Sequence, residues 1–188
     1  MPVKFVQTEL DGVTLCIPDI IRDSRGFFLE TYHAAKYMAG GVRQVFVQDN
    51  CSSSSQGVLR GLHYQLHKPQ AKLVSCVRGE IYDVAVDIRR GSPTFRKWSA
   101  VVLSETNHHQ LFIPGGFAHG FYVISDVAEI MYKCSEFYDA RDDRGVRWND
   151  PAFCIPWPNA EPVLSAKDAA QPFLSDLQDE QLPTFAQK

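Results

Sequence analysis

Between positions 71 and 134 the chain repeats one pattern, short runs of β-branched and aromatic residues broken by turn residues. The runs cover 71–78, 80–88, 98–103, 110–113, 118–124 and 127–134, and another lies ahead of them at 45–48. Arg78-Gly79, Arg89-Arg90-Gly91-Ser92-Pro93, Glu105-Thr106-Asn107, Pro114-Gly115-Gly116 and Ser125-Asp126 separate them, and this punctuation predicts strands. No 12-residue helical pattern intervenes, so the prediction is an antiparallel sandwich or barrel. Short helices are expected over 33–39, stopped by Gly40-Gly41, and over 165–170, where Ser165 caps and Pro172 ends the segment. The last twenty residues are polar with scattered proline, and the expectation is a loosely held tail. With no repeat, low-complexity stretch or linker, residues 1–188 read as one mostly-β domain.

A chain of 188 residues, 45% of them hydrophobic, buries about 70% of its unfolded surface, enough for a substantial core. Lys+Arg 19 against Asp+Glu 22 gives a formal charge of −3, which argues against a nucleic-acid or polyanion binder. No stretch approaches the roughly 18 apolar residues of a membrane span. The N-terminus lacks the apolar core of a signal peptide. These features set the expectation of a soluble, cytoplasmic protein with no nucleic-acid or membrane partner. Cys16, Cys51, Cys76, Cys134 and Cys154 are odd in number and form no Cys-x-x-Cys pair. They read as inert thiols rather than a disulfide framework or a zinc site.

Two histidine segments carry candidate chemistry. In Arg60-Gly61-Leu62-His63-Tyr64-Gln65, strand alternation places Gly61, His63, Gln65 and His67 on one face. Arg60 then faces the other way, and its use in the same site requires a bulge, a twist or a strand end. The second segment, Pro114-Gly115-Gly116-Phe117-Ala118-His119, has the Pro-x-Gly-x-x-His spacing of the second half of the cupin metal motif. Cupins are jelly rolls, in keeping with the strand census. Their metal-binding members carry His-x-His in the first half, where this chain has His63-Tyr64-Gln65. An amide replaces an imidazole, two histidines without a carboxylate make a poor site, and the reading is a metal-free cupin.

Other groups are weaker by themselves. Arg25, Arg60, Lys72 and Lys167 suit a diphosphate, with Glu30, Gln48, Asp49 and Asn50 as polar partners; scattered charges are equally the ordinary content of a surface. No Walker loop or Gly-x-Gly-x-x-Gly is present. Asp168 is a candidate to orient His63, since a carboxylate on one imidazole nitrogen fixes the tautomer of the other. Tyr132 and Tyr138 are candidate proton donors or core tyrosines. His108 and His109 read as exposed turn residues, and Trp98, Trp148 and Trp157 as core or interface anchors.

Taken in order, these blocks resemble the dTDP-4-dehydrorhamnose 3,5-epimerase family of cupin-class nucleotide-sugar epimerases. The resemblance runs through Asp23-x-Arg25-Gly26-x-Phe28-x-Glu30, Gln48-Asp49-Asn50, Gly57 to Gln65, Ala71-Lys72-Leu73-Val74 and Asp83 to Asp87. It continues through Arg90 to Thr94, Ile113 to Phe121, Tyr132-Lys133, Trp148 to Pro151 and Leu164-Ser165-x-Lys167-Asp168. It implies an all-β fold, a cupin-type jelly-roll sandwich or barrel with a few short helices. The implied activity is metal-independent inversion of C3 and C5 of dTDP-4-keto-6-deoxyglucose, giving dTDP-4-keto-L-rhamnose for dTDP-L-rhamnose biosynthesis, with no cofactor.

The resemblance also implies roles. His63 is the base, oriented by Asp168; Lys72 stabilises the enolate oxygen; Tyr132 returns a proton from the opposite face. Arg25, Glu30, Gln48, Asp49, Asn50, Arg60, Lys72, His119, Tyr138 and Lys167 form the substrate-binding set. Asp143 joins them as a shorter carboxylate where the family often has glutamate. Arg96 stands where the family commonly has glycine, which is expected to change a hairpin turn. Family members are usually homodimers with exchanged strands, so Arg25 and Glu30 are expected to reach the partner's pocket. Two other readings share many of these residues: a single-centre epimerase on a related nucleotide sugar, and a cupin that only binds one.

Overall fold

The alternating runs fold as strands nearly where the sequence places them. In the computed structural model, which describes residues 1–185, the strands are β1 (Val3–Gln7), β2 (Thr14–Pro18), β3 (Ile20–Asp23), β4 (Gly26–Leu29), β5 (Gln48–Ser55), β6 (Leu59–Gln65) and β7 (Lys72–Arg78). They continue as β8 (Glu80–Asp87), β9 (Trp98–Ser104), β10 (Gln110–Ile113), β11 (Phe117–Val123), β12 (Val127–Cys134) and β13 (Asp143–Gly145). Helix α1 (Ala34–Ala39) ends at Gly40, and α2 (Ala166–Ala169) begins at the Ser165 cap, whose hydroxyl accepts the Asp168 N–H at 3.0 Å.

Two antiparallel sheets face each other. One has the order β1-β2-β10-β7-β12-β5, the other β13-β6-β11-β8-β9, and β3-β4 stand apart as a hairpin. This is the expected jelly-roll sandwich, with a core made by the two inner faces. Val74, Leu111, Ile113 and Ile130 of the first sheet meet Ile81, Ala85, Phe117 and Phe121 of the second. The outer face of the second sheet is covered too. Leu62, Val84, Val86 and Ala118 pack under Val146, Phe153, Leu174 and Leu182 from the C-terminal part of the chain. Burial on both faces explains why β11 is buried at every position.

That covering corrects the expectation of a loose tail. Leu174 and Leu182 are buried, the Tyr64 hydroxyl donates to the Gln181 carbonyl at 2.7 Å, and Arg90 exchanges backbone hydrogen bonds with Pro183 and Phe185. The scattered polar composition hid a segment held by few apolar contacts; residues 186–188 of that expected tail lie outside the described residues.

Three smaller differences have local causes. The strand expected at 45–48 instead starts at Gln48 and runs through four serines, as an edge strand paired residue for residue with β12. Strand β6 ends at Gln65, so His67 lies in a bend, exposed, rather than on the face of His63. His108 and His109 are half-buried, with the Phe27 ring 4.6 Å from that of His108. Arg96 has φ 70°, a left-handed conformation of the kind that favours glycine, in the turn before β9.

The five cysteines are free thiols. Burial pushes Cys16 up to about 12 and Cys76 up to about 11, which keeps both neutral. The indole N–H groups of Trp98 and Trp157 donate to the carbonyls of Phe153 and Trp148, in keeping with core anchors.

Candidate active site

A cavity of about 340 Å³ opens between the sheets. Gln48, Asn50, Lys72 and Tyr132 wall it from the six-stranded sheet; His63, Tyr64, Gln65 and Asp143 wall it from the other, with Gln70 and Tyr138 at its edge. Strand register explains the first group. Gln48, Cys134 and Lys72 are cross-strand partners, as are Asn50, Tyr132 and Val74. Partners share a face, and residues two apart share it too. The same rule sends Asp49 to the other side of the sheet, where it pairs with Lys133 at 2.9 Å.

His63 Nε2 lies 2.5 Å from Asp168 Oδ1, across 105 positions of sequence. The chain makes this contact by adding the 163–168 segment alongside the start of β6. Val163 bridges Val58 in parallel, and Leu59 N–H donates to the Val163 carbonyl. The cap of α2 then fixes Asp168, which is buried. Burial alone would raise its pKa, but hydrogen bonds from His63, Ser165 and the Gly61 N–H outweigh that and lower it below 3.8. An ionised carboxylate only accepts, so His63 donates through Nε2, and the neutral tautomer that makes this contact is the one with its lone pair on Nδ1.

Arg60 reaches this site through the device the sequence required. His119 pairs with His63 while Phe121 pairs with Arg60, so β6 has one extra residue between the two pairs. This bulge turns Arg60 onto the face of His63. Glycines make it possible: a Cβ on Gly61 (φ 129°) would lie 2.5 Å from Gly120 Cα and 2.8 Å from the His119 carbonyl oxygen. The guanidinium donates to Ser54 Oγ at 3.0 Å. Arg60, Lys167, His63 and Asp168 line a second hollow of about 360 Å³ that meets the cavity at His63.

Lys72 faces the cavity with no ion pair among the described residues. Burial lowers its pKa below 10.5, against opposing pulls from Cys134, Asp143 and Asp83. Tyr132 is raised above 10.0, first by burial, with Arg60 acting the other way. Its phenol is therefore protonated in the resting protein.

His119, the cross-strand partner of His63, lies beside it, buried, and does not line the cavity. Its Nε2 lies 2.9 Å from the fully buried Asp83, and burial lowers its pKa below 6.5. Asp83 was not among the sequence candidates, although a carboxylate inside the apolar run of 80–88 is the kind of residue that needs a buried partner. Asp143 accepts from the Tyr138 hydroxyl at 2.8 Å and pairs with Lys167, which ties these three together at the cavity edge.

Arg25 and Glu30 are not brought to the cavity of their own chain. Arg25 is exposed at the β3-β4 turn and pairs with Asp23; Glu30 pairs with Lys36 at 2.6 Å. Among the described residues no group of three or more His, Cys, Asp or Glu is placed to hold a metal ion, and no helix is long and apolar enough to cross a membrane.

The fold and these side chains define a cupin-type jelly roll with acid–base groups in its interior. A family model described as dTDP-4-dehydrorhamnose 3,5-epimerase matches residues 7–176. A protein of that name from Shigella flexneri is 52% identical over 168 residues, covering 88% of this chain and 93% of its own length. Another from Neisseria gonorrhoeae is 50% identical over 169 residues, covering 89% of this chain, which spans about half (52%) of that relative. The crystal structure of the Legionella pneumophila dTDP-6-deoxy-D-glucose-3,5-epimerase in complex with dTDP-4-keto-L-rhamnose aligns with a TM-score of 0.96 at 45% identity, over 99% of this chain and 100% of that one. The chain belongs to the dTDP-4-dehydrorhamnose 3,5-epimerase family, a family of isomerases.

Proposed function

We propose that this chain inverts C3 and C5 of dTDP-4-keto-6-deoxyglucose to give dTDP-4-keto-L-rhamnose. The observation that carries the reading is the placement of His63 and Tyr132 on facing sheets of one cavity, with the Lys72 ammonium between the same walls. Inversion needs a base on one face of a carbon and an acid on the other. His63 Nδ1 takes the proton from the carbon beside the C4 ketone, and the C–H electron pair moves to the C4 oxygen. Asp168 stabilises the imidazolium that results. The enolate oxygen receives its positive charge from Lys72, a donor held ready where negative charge develops. Tyr132 delivers a proton to the opposite face, and the ketone re-forms with the centre inverted. No metal is called for, because the ketone already acidifies both neighbouring carbons.

Arg60 and Lys167, beside the second hollow, supply cations for the diphosphate; Gln48, Asn50, Tyr138 and Asp143 contact the remainder of the nucleotide sugar. His119, held by Asp83, packs beside His63 and supports its position in the sheet. Arg25 and Glu30 complete the site only in a dimer, whereas Asp49 stays on the far side of its sheet with Lys133. The β3-β4 hairpin exposes Ile21, Phe27 and Phe28 (51%, 53% and 66%), a surface suited to a second copy, and exchange of this segment would carry Arg25 and Glu30 to the partner.

The test is His63→Asn. The variant is expected to lose turnover while binding dTDP within about threefold of the parent by calorimetry, since the nucleotide contacts lie elsewhere. Retained turnover would remove His63 from the role of base.

A further inference from the structure

The first half of the cupin motif leaves one residue unaccounted for. Gln65 stands where metal-binding cupins place a histidine, and none of the steps above uses it. Its side chain is 5% exposed and already committed. Nε2 donates to the carbonyls of Lys68 (2.9 Å) and Phe137 (3.4 Å), and Oε1 accepts the Asp139 N–H at 2.8 Å. All three partners are backbone groups of two segments, 66–71 and 135–139, that meet at the edge of the cavity. The stitching continues around Gln65: Asp142 accepts the His67 and Lys68 N–H groups, and Gln70 donates to the Glu136 carbonyl. Between Phe137 and Asp139 lies Tyr138, whose own N–H donates to Gln48 Oε1. In the ladder Gln65 is also the partner of Asp143.

We infer that Gln65 is a positioning residue for substrate binding: its buried amide clamps the two segments together and holds Tyr138 and Asp143 against the nucleotide sugar. An amide suits this task because one short side chain presents donors and an acceptor together. A histidine here would offer one donor and one acceptor on a rigid ring, and a carboxylate would lack the donor. Because the clamp makes no hydrogen bond to His63, Asp168, Lys72 or Tyr132, its loss weakens binding and leaves the chemical step in place. The kinetic part of this inference rests on the function proposed above.

The test compares Gln65→Leu and Gln65→Glu with the parent, alone and in a Tyr138→Ala background. For Gln65→Leu, KM for dTDP-4-keto-6-deoxyglucose is expected to rise about tenfold with kcat within about threefold. In the Tyr138→Ala background the same replacement is expected to raise KM less than about threefold, since only its hold on Asp143 is left to lose. Gln65→Glu mimics the amide only while protonated, so its KM relative to the parent is expected to be near one at low pH and to climb as the carboxyl ionises. Hydrogen exchange without substrate is expected to quicken over 135–143 and to stay unchanged over 117–123. That readout stands even if the parent proves inactive on this sugar, so failure of the functional reading is told apart from failure of the clamp. If Gln65→Leu does not fold, Gln65→Glu carries both measurements through its pH dependence. A loss in kcat at constant KM, a full effect in the Tyr138→Ala background, or unchanged exchange over 135–143 would each overturn the inference.

Discussion

Replacing Asp168 by asparagine isolates what the carboxylate gives the base without removing volume from the buried α2 cap. Three effects follow from the geometry. The 2.5 Å contact to His63 Nε2 becomes a neutral hydrogen bond at the moment the imidazole gains its proton. A hydrogen bond to a charged group contributes about 1.5–3 kcal/mol, or about 10- to 150-fold in rate. An asparagine also presents an N–H where the carboxylate only accepted, which favours the tautomer with the proton on Nδ1, where the base needs its lone pair. In a hydrolase triad that error alone costs about 10⁴. Gly61 N–H and Ser165 would still find an amide oxygen, so the backbone around the site stays put. The expected outcome is a kcat lower by about 10²- to 10⁴-fold with KM within about threefold. The assay follows product formation by coupling to a ketoreductase, with circular dichroism as the folding control. A kcat loss under tenfold in folded protein, or a loss carried by KM, would refute the reasoning about His63 and Asp168.

Three further outcomes are expected. Tyr132→Phe removes the acid but not the base, so solvent exchange of the sugar protons should persist by NMR while inversion at C5 falls by about 10²-fold or more. Lys72 has its pKa lowered by burial, so the ammonium is charged below the lowered value and neutral above it; kcat should fall with rising pH at a midpoint below 10.5, and Lys72→Met should lose about 10²- to 10³-fold in kcat at neutral pH. Asp87, fully buried, has its carboxyl lowered below 3.8 because hydrogen bonds from Arg89, Ser92 and Thr94 outweigh the effect of burial. A depressed pKa contributes stability above 3.8 that is lost as pH falls through the lowered value, so Tm should drop below about pH 4. Asp87→Ala leaves Arg89 without its partner, destabilises by about 3 kcal/mol, and should lower Tm by about 6–12 °C in a thermal melt.

The sequence carried the sandwich well because its central strands are written in alternation and closed by Gly, Pro and Asp turns. Strands β7 to β12 fall within a residue or two of the expected runs. Local pattern is silent where tertiary contact decides. The serines of β5 have no strand signature and have β12 as their one strand neighbour, and the C-terminal covering depends on isolated leucines such as Leu174 and Leu182 meeting a sheet face. The site shows the same division. Alternation put His63 and Gln65 on one face, and the need for a bulge, a twist or a strand end at Arg60 was readable, but the register shift opposite Gly120 that settles which was not. The contact between His63 and Asp168 has no local trace, since a bridge far along the chain creates it; chemistry made Asp168 a candidate, and the family resemblance paired it with His63. Asp83 and the loop contacts of Gln65 lie outside both kinds of signal, because each depends on which backbone or ring a buried polar group happens to face.

In the proposed reaction one cavity removes and returns protons at two carbons flanking a ketone. Proton NMR of dTDP-4-keto-6-deoxyglucose with the protein in D₂O tests it directly by following C3–H and C5–H. Deuterium at both carbons and a product with both centres inverted are expected. Folded protein that exchanges neither carbon would contradict the reaction, and exchange with inversion at one carbon alone would contradict the double inversion.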